Sequence, residues 1–140
     1  MIILIQDISH HRFGAYISES LKFLDKSYGS GETFVFQLMN LDSKEENDKI
    51  ETKLEEKHST QNNSSNLKNP KVYKWTSQNS LFVMGSQDSF AVGIDDGKFA
   101  IYLDSSLNQG RSQECQTFAN EPLTPEEDFI VKTMEIWTFR

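Results

Sequence analysis

Cysteine is almost missing from this chain: Cys115 is the single one in 140 residues. A lone thiol cannot close an internal disulfide, and a reducing, cytosolic setting is the simplest reading of its use. Long apolar runs are missing as well. The best of them, Met1 to Ile5, is ended by Gln6 and Asp7, far short of the ~20 residues of a membrane-spanning helix and too short for the apolar region of a signal peptide. Positive charge is scarce: 14 Lys and Arg face 21 Asp and Glu, a net charge of −7. A chain that acidic has no basic face with which to displace counterions from a phosphate backbone, which argues against nucleic acid as a partner. Histidine is limited to His10, His11 and His58, so acid–base chemistry near neutral pH has few carriers.

What the chain has in quantity is aromatic residues, 11% with ten Phe, enough to build a core for one domain of this length. Short strand signals dominate. Met1 to Ile5 reads as a buried strand, and Arg12 to Ile17 as its hairpin partner across a polar loop. Thr33 to Met39 alternates. Lys71 to Trp75, Leu81 to Met84, Ser89 to Ile94 and Lys98 to Leu103 follow at the spacing of an antiparallel all-β domain. Asp95-Asp96-Gly97 between two of these runs is a strong hairpin signal. Cys115 to Phe118 reads as a short edge strand and Ser20 to Leu24 as one helical turn. The final run, Asp128 to Phe139, is apolar on both parities, with Phe129, Val131 and Trp137 on one and Ile130, Met134 and Ile136 on the other. That pattern predicts a central strand covered on both sides, with Trp137 in the core. Residues 41–68 differ from the rest. Alternating Lys and Glu, then an Asn/Ser tract, read as a flexible polar insertion within the single domain 1–140.

Each candidate for chemistry has a plainer structural reading. Gly29-Ser30-Gly31-Glu32-Thr33 superficially resembles a phosphate loop, but no Lys follows the last glycine and a strand replaces the helix, so a glycine turn is expected. Cys115 would need an imidazole to become a nucleophile, and none is nearby in the sequence, which favours a buried small residue. Asp95, Asp96 and Asp104 lack the oxygen spacing of a calcium loop. Glu121, Glu126, Glu127 and Asp128 form an acidic surface stretch, or a docking patch for a basic partner. Arg111, just after the turn residue Gly110, is expected to satisfy carbonyls or a carboxylate. The residues assemble no active site, no metal site and no cofactor site.

Three stretches resemble the TLDc domain family. Tyr28-Gly29-Ser30-Gly31-Glu32-Thr33-Phe34-Val35-Phe36 is similar to its Gly-x-Gly-Glu-x-Phe-x-Phe signature, and Tyr73-Lys74-Trp75-Thr76 to its aromatic-x-Trp-Thr strand. The third stretch comprises Phe99 to Asp104, Gly110-Arg111-Ser112, Cys115, Thr117-Phe118, Asn120, Leu123, Asp128-Phe129 and Glu135-Ile136-Trp137 with Phe139. The resemblance implies a mainly β fold, a two-sheet antiparallel sandwich with a few short peripheral helices. The family also carries a helix-and-strand segment ahead of the equivalent of Met1, so the domain is expected to be truncated at its N-terminal side. The function implied is non-enzymatic: resistance to oxidative stress and binding of the vacuolar-type proton ATPase, with cytoplasmic location and recruitment to acidic organelles through that partner. The positions carried over are structural: Gly29, Gly31, Glu32, Trp75, Asp104, Gly110, Arg111, Ser112, Cys115, Phe118, Asp128, Phe129 and Trp137. Two other readings stand beside it, a structural component whose neighbour completes the truncated sandwich and a thiol-dependent enzyme.

Overall fold

A computed structural model describes residues 1–39 and 69–140; the 41–68 insertion therefore lies outside the described residues. Nine strands form: β1 (Ile2–Asp7), β2 (Arg12–Tyr16), β3 (Phe34–Leu38), β4 (Lys71–Lys74), β5 (Val83–Gly85), β6 (Ser89–Asp95), β7 (Lys98–Asp104), β8 (Gln109–Arg111) and β9 (Asp128–Trp137). All pair antiparallel, in the order β4-β3-β2-β1-β9-β8-β7-β6-β5. The mainly β reading holds. The strands hydrogen-bond in one unbroken order rather than as two separate sheets, because β9 serves both halves. Its first residues, Asp128 to Ile130, pair with β8, and Val131 to Trp137 pair with β1.

The two halves bury one common core. Ile3, Ile5, Phe13, Ala15 and Val35 come from one side and Val83, Val92, Ile101 and Leu103 from the other. Phe13 meets Phe129 edge-on at 4.9 Å between ring centroids. Alternation decides which residues arrive there: along β1, Ile3, Ile5 and Asp7 are buried while Ile2, Leu4 and Gln6 are only partly covered. The Asp95-Asp96-Gly97 signal resolves as expected. Asp95 pairs with Lys98, and Asp96 and Gly97 adopt φ of 44° and 78°, the left-handed pair that matches strand twist.

Three expectations are corrected. No helix occurs among the described residues, so the peripheral helices and the Ser20–Leu24 turn are absent there. That stretch instead runs beside the edge of β5, where Leu24 N donates to Gly85 O at 3.0 Å and Tyr28 bridges to Val83. The Lys22 and Leu24 amides are thus taken by Tyr28 OH and Gly85 O rather than by carbonyls one helical turn earlier. Residues 115–118 form a turn closed by a Cys115–Asn120 bridge, not an edge strand.

The third correction concerns β9. Between the Val131–Asp7 and Thr133–Gln6 pairs one extra residue, Lys132, bulges out. A bulge exchanges the two faces of a strand downstream of it. Phe129 and Val131 before it, and Met134 and Ile136 after it, therefore all turn toward the core side. Thr133, Glu135 and Trp137 turn outward. Trp137 is 59% exposed rather than buried, and its indole N–H donates to Glu135 Oε2 at 3.1 Å.

The outward face of the β4-β3-β2-β1-β9 half follows from the same registers. Trp137, Ile2, Tyr16 and Phe34 form one row with Lys74, and Glu135, Leu4, Gly14, Phe36 and Val72 form the next. Tyr16 and Phe34 stack at 5.2 Å, and the Phe36 ring lies over Gly14.

Candidate functional site

The residues matched to family motifs gather in two places. At the first, Trp75 packs on Gly31 so closely that a Cβ there would stand 2.3 Å from the indole. The same ring meets Phe82 edge-on at 5.5 Å, and its N–H donates to Asn79 O. Of the two turn glycines only Gly29 has positive φ, 108°; Gly31 is required by the indole instead. Glu32 is exposed beside them. This cluster is a packed corner of the fold.

The second gathering lies on β7, β8 and the start of β9. Asp104 at the end of β7 caps the following turn: Oδ1 accepts from Asn108 N and Gln109 N, and Oδ2 from Ser106 Oγ. The Gln109 bond is the main reason its carboxyl is held below the usual carboxylate range. On β8, Gly110 leaves room for the buried Phe129, because a Cβ would sit 2.3 Å from the ring and 2.6 Å from Tyr102 O. Its neighbour Arg111 forms a bidentate pair with Asp128, Nε–Oδ1 2.6 Å and Nη2–Oδ2 3.0 Å. That bonding raises the pKa of Arg111 and lowers that of Asp128, and it bears out the expectation that Arg111 meets a carboxylate. Ser112 is buried, donating to Ala100 O and accepting from Leu123 N.

Cys115 and Phe118 lie in the core. Burial pushes the Cys115 thiol up in pKa, and its Sγ lies 3.4 Å from Thr117 Oγ1. A thiol biased toward its protonated form is a poor nucleophile. Among the described residues no three of His, Cys, Asp and Glu are grouped to hold a metal ion.

Two surface cavities flank the Arg111–Asp128 pair. One, about 580 Å³, is walled by Ile8, His11, Pro125 and Ile130 around the pair; the other, about 490 Å³, is walled by Phe99, Tyr102 and Gln113. Together they make a groove that flanks the ion pair with walls of mixed polarity, Ile8, Pro125 and Ile130 on one side and Phe99 and Tyr102 on the other. Sequence reasoning missed one member of it. Asp7 is buried and spans the β1–β2 loop, accepting His11 N at 2.8 Å on Oδ1 and meeting His11 Nδ1 at 2.9 Å through Oδ2. The Asp7-x-x-x-His11 spacing across a hairpin loop was the available signal.

Comparison with known proteins agrees with these motifs. The chain matches the TLDc domain over residues 1–140. It is 36% identical over 139 residues to human oxidation resistance protein 1, and 34% identical over 139 residues to mouse nuclear receptor coactivator 7. Each alignment covers 99% of this chain but only 13% and 12% of those much longer proteins. The chain belongs to the TLDc domain family.

Proposed function

We propose that this chain is a non-enzymatic protein-binding module that serves oxidation resistance and docks on a subunit of the vacuolar-type proton ATPase at the cytosolic face of acidic organelles. The observation that carries the reading is the Arg111–Asp128 groove. Binding energy concentrates where a side chain can be buried among apolar walls beside a fixed charge pair. The bidentate pair is exposed, with side chains 47% and 71% accessible, and both partners are family-motif residues. Family membership, with relatives named for oxidation resistance, supports the physiological half of the proposal.

The test is direct binding of the purified chain to the isolated catalytic sector of the pump, with ATP hydrolysis followed in parallel. Binding with changed hydrolysis, lost in Arg111→Glu at unaltered melting temperature, is the expected result. Absence of binding by the native chain would overturn the partner. Turnover of peroxide by the purified chain would overturn the non-enzymatic half.

A second reading, a structural component whose neighbour completes the sandwich, is favoured by the exposed outward face of the β4-β3-β2-β1-β9 half.

A further inference from the structure

A carboxylate taken out of water is costly unless something compensates its charge. Asp7, at the end of β1, has a side chain only 6% accessible, and one residue serves both of its oxygens. Oδ1 accepts from His11 N at 2.8 Å, and Oδ2 meets His11 Nδ1 at 2.9 Å. Among the described residues the ion pairs give Asp7 no other cation. Arg111, across the cavity, is spent on Asp128, and Glu126 on its rim adds negative charge. Lys132, which bulges from β9 opposite the Gln6–Asp7 step, joins no ion pair among the described residues. Arg12 pairs in register with Gln6, so it turns to the face away from Asp7. His10 is exposed.

The loop that this pair closes, Ile8 to His11, contains a strained residue. His10 stands at φ 69°, a left-handed conformation with a steric cost for any residue but glycine. Three main-chain bonds tie the loop down: Asp7 N to His11 O at 3.0 Å, His10 N to Asp7 O at 3.1 Å and Ile8 N to Ile130 O at 3.0 Å. Ile8 and Ile130 stand together in one wall of the groove, so closure of the loop shapes that wall. Imidazole is the side chain whose ordinary titration falls between pH 5 and 8. In the neutral ring the role of Nδ1 toward Asp7 depends on the tautomer. In the charged ring both nitrogens donate, and the bond to the carboxylate becomes charge-assisted at both ends, roughly twice as strong as a neutral one. We propose that Asp7 and His11 form a proton-operated latch on the β1–β2 loop, which fixes the Ile8 wall of the groove when His11 is charged and loosens it when His11 is neutral. Closure therefore strengthens as pH falls through the imidazole range and is lost as pH rises through it. Carboxylates ordinarily stay ionised across that range. The consequence for a partner rests on the docking groove proposed above, whereas the latch belongs to the chain alone.

Solvent exchange of the loop amides, read by NMR on the full ¹⁵N-labelled chain and corrected for the intrinsic effect of pH on exchange, tests the latch without a partner. The bonded amides are those of Asp7, Ile8, His10 and His11. Their protection should be roughly fivefold greater at pH 5.5 than at pH 8, changing in step with the ¹⁵N shifts of the His11 ring. Amides of the β5–β6 hairpin, whose sequence holds no histidine, should not respond. His11→Gln, at a partly exposed position, keeps a polar side chain that cannot charge and should abolish the response. Asp7→Asn keeps an oxygen for His11 N and should abolish it as well, so the result does not hang on one variant. His10→Asn, a residue that tolerates positive φ, should retain it. The proposal is overturned if loop protection ignores pH while the His11 ring titrates, or if protection rises with pH. It is equally overturned if the response survives His11→Gln or disappears in His10→Asn. A working latch in a chain that fails to bind the pump would count against the groove alone, and pump binding with a pH-independent loop would count against the latch alone.

Discussion

Phe129 and Trp137 sit eight residues apart on one strand, and they should respond in opposite ways to truncation. Phe129 is 6% exposed and meets Phe13 edge-on at 4.9 Å beneath Gly110. Phe129→Ala removes a ring from a filled core and leaves a cavity, a change that costs about 3–5 kcal/mol. Trp137, at 59% exposed, hides less than half of the ~250 Å² that a fully buried indole removes from water. At ~25 cal/mol per Å², Trp137→Ala therefore costs at most about 2.5 kcal/mol, an upper bound because the unfolded chain is itself partly collapsed. For a domain of this size each kcal/mol moves the melting temperature by about 3–5 °C. The expected drops are about 10–25 °C for Phe129→Ala and at most about 12 °C for Trp137→Ala, measured by circular dichroism at one protein concentration. Equal drops, or a larger one for Trp137→Ala, would refute the placement of the Lys132 bulge, since only an unbroken strand turns both aromatics to the same side.

Other outcomes follow from the same contacts. Gly110→Ala should destabilise strongly, because its Cβ would meet both the buried Phe129 ring and the Tyr102 carbonyl; Gly31→Ala should be milder, since Trp75 is 38% exposed and can shift. Thermal melts of the two variants rank them. Asp104 has a folded pKa below its usual 3.8, so its contribution is complete above that value and fades as pH falls through the folded one. The stability gap between native and Asp104→Asn chains should narrow under acid titration below pH ~4, and a gap independent of pH would refute the carboxylate's role in the turn. Cys115 should resist iodoacetamide at pH 8 until the chain is unfolded, and Cys115→Ser should preserve function in a peroxide-sensitivity rescue. Replacing residues 43–66 with a short Gly/Ser loop should leave the melting temperature nearly unchanged, because β3 and β4 are adjacent antiparallel strands that a short hairpin can join.

Local signals were legible where the chemistry is local. The Asp96-Gly97 turn, the Ile2–Tyr16 hairpin, the buried Cys115 and the carboxylate partner of Arg111 each depend on a few residues whose spacing limits the outcome. The Gly31–Trp75 contact was legible only as two motifs. Nothing in either segment says that 44 positions apart they meet, or that an indole rather than positive φ demands the glycine. The groove was half legible for the same reason. Arg111 and Asp128 stood out by type, whereas Asp7 read only as the residue that ends an apolar run, and its bond to His11 needed the hairpin to be closed first.

The misreading of β9 has a sharper physical cause. A strand apolar on both parities can be a strand covered on both sides, or a strand covered on one side whose phase slips once. The two differ by a single unpaired residue, and period-2 analysis cannot separate them without the partner's register. Here the slip coincides with the exchange of partners, because β9 leaves β8 after Ile130 and runs along β1 from Val131. One strand serving two halves of a folded sheet must bend at the junction, and the extra residue supplies the bend. Lys132-Thr133, the polar pair between Val131 and Met134, marks the spot in the sequence. The slip directs Met134 and Ile136 to the core side and turns Trp137 out among Ile2 and Tyr16. An indole that parity alone would bury thereby becomes part of an exposed apolar surface.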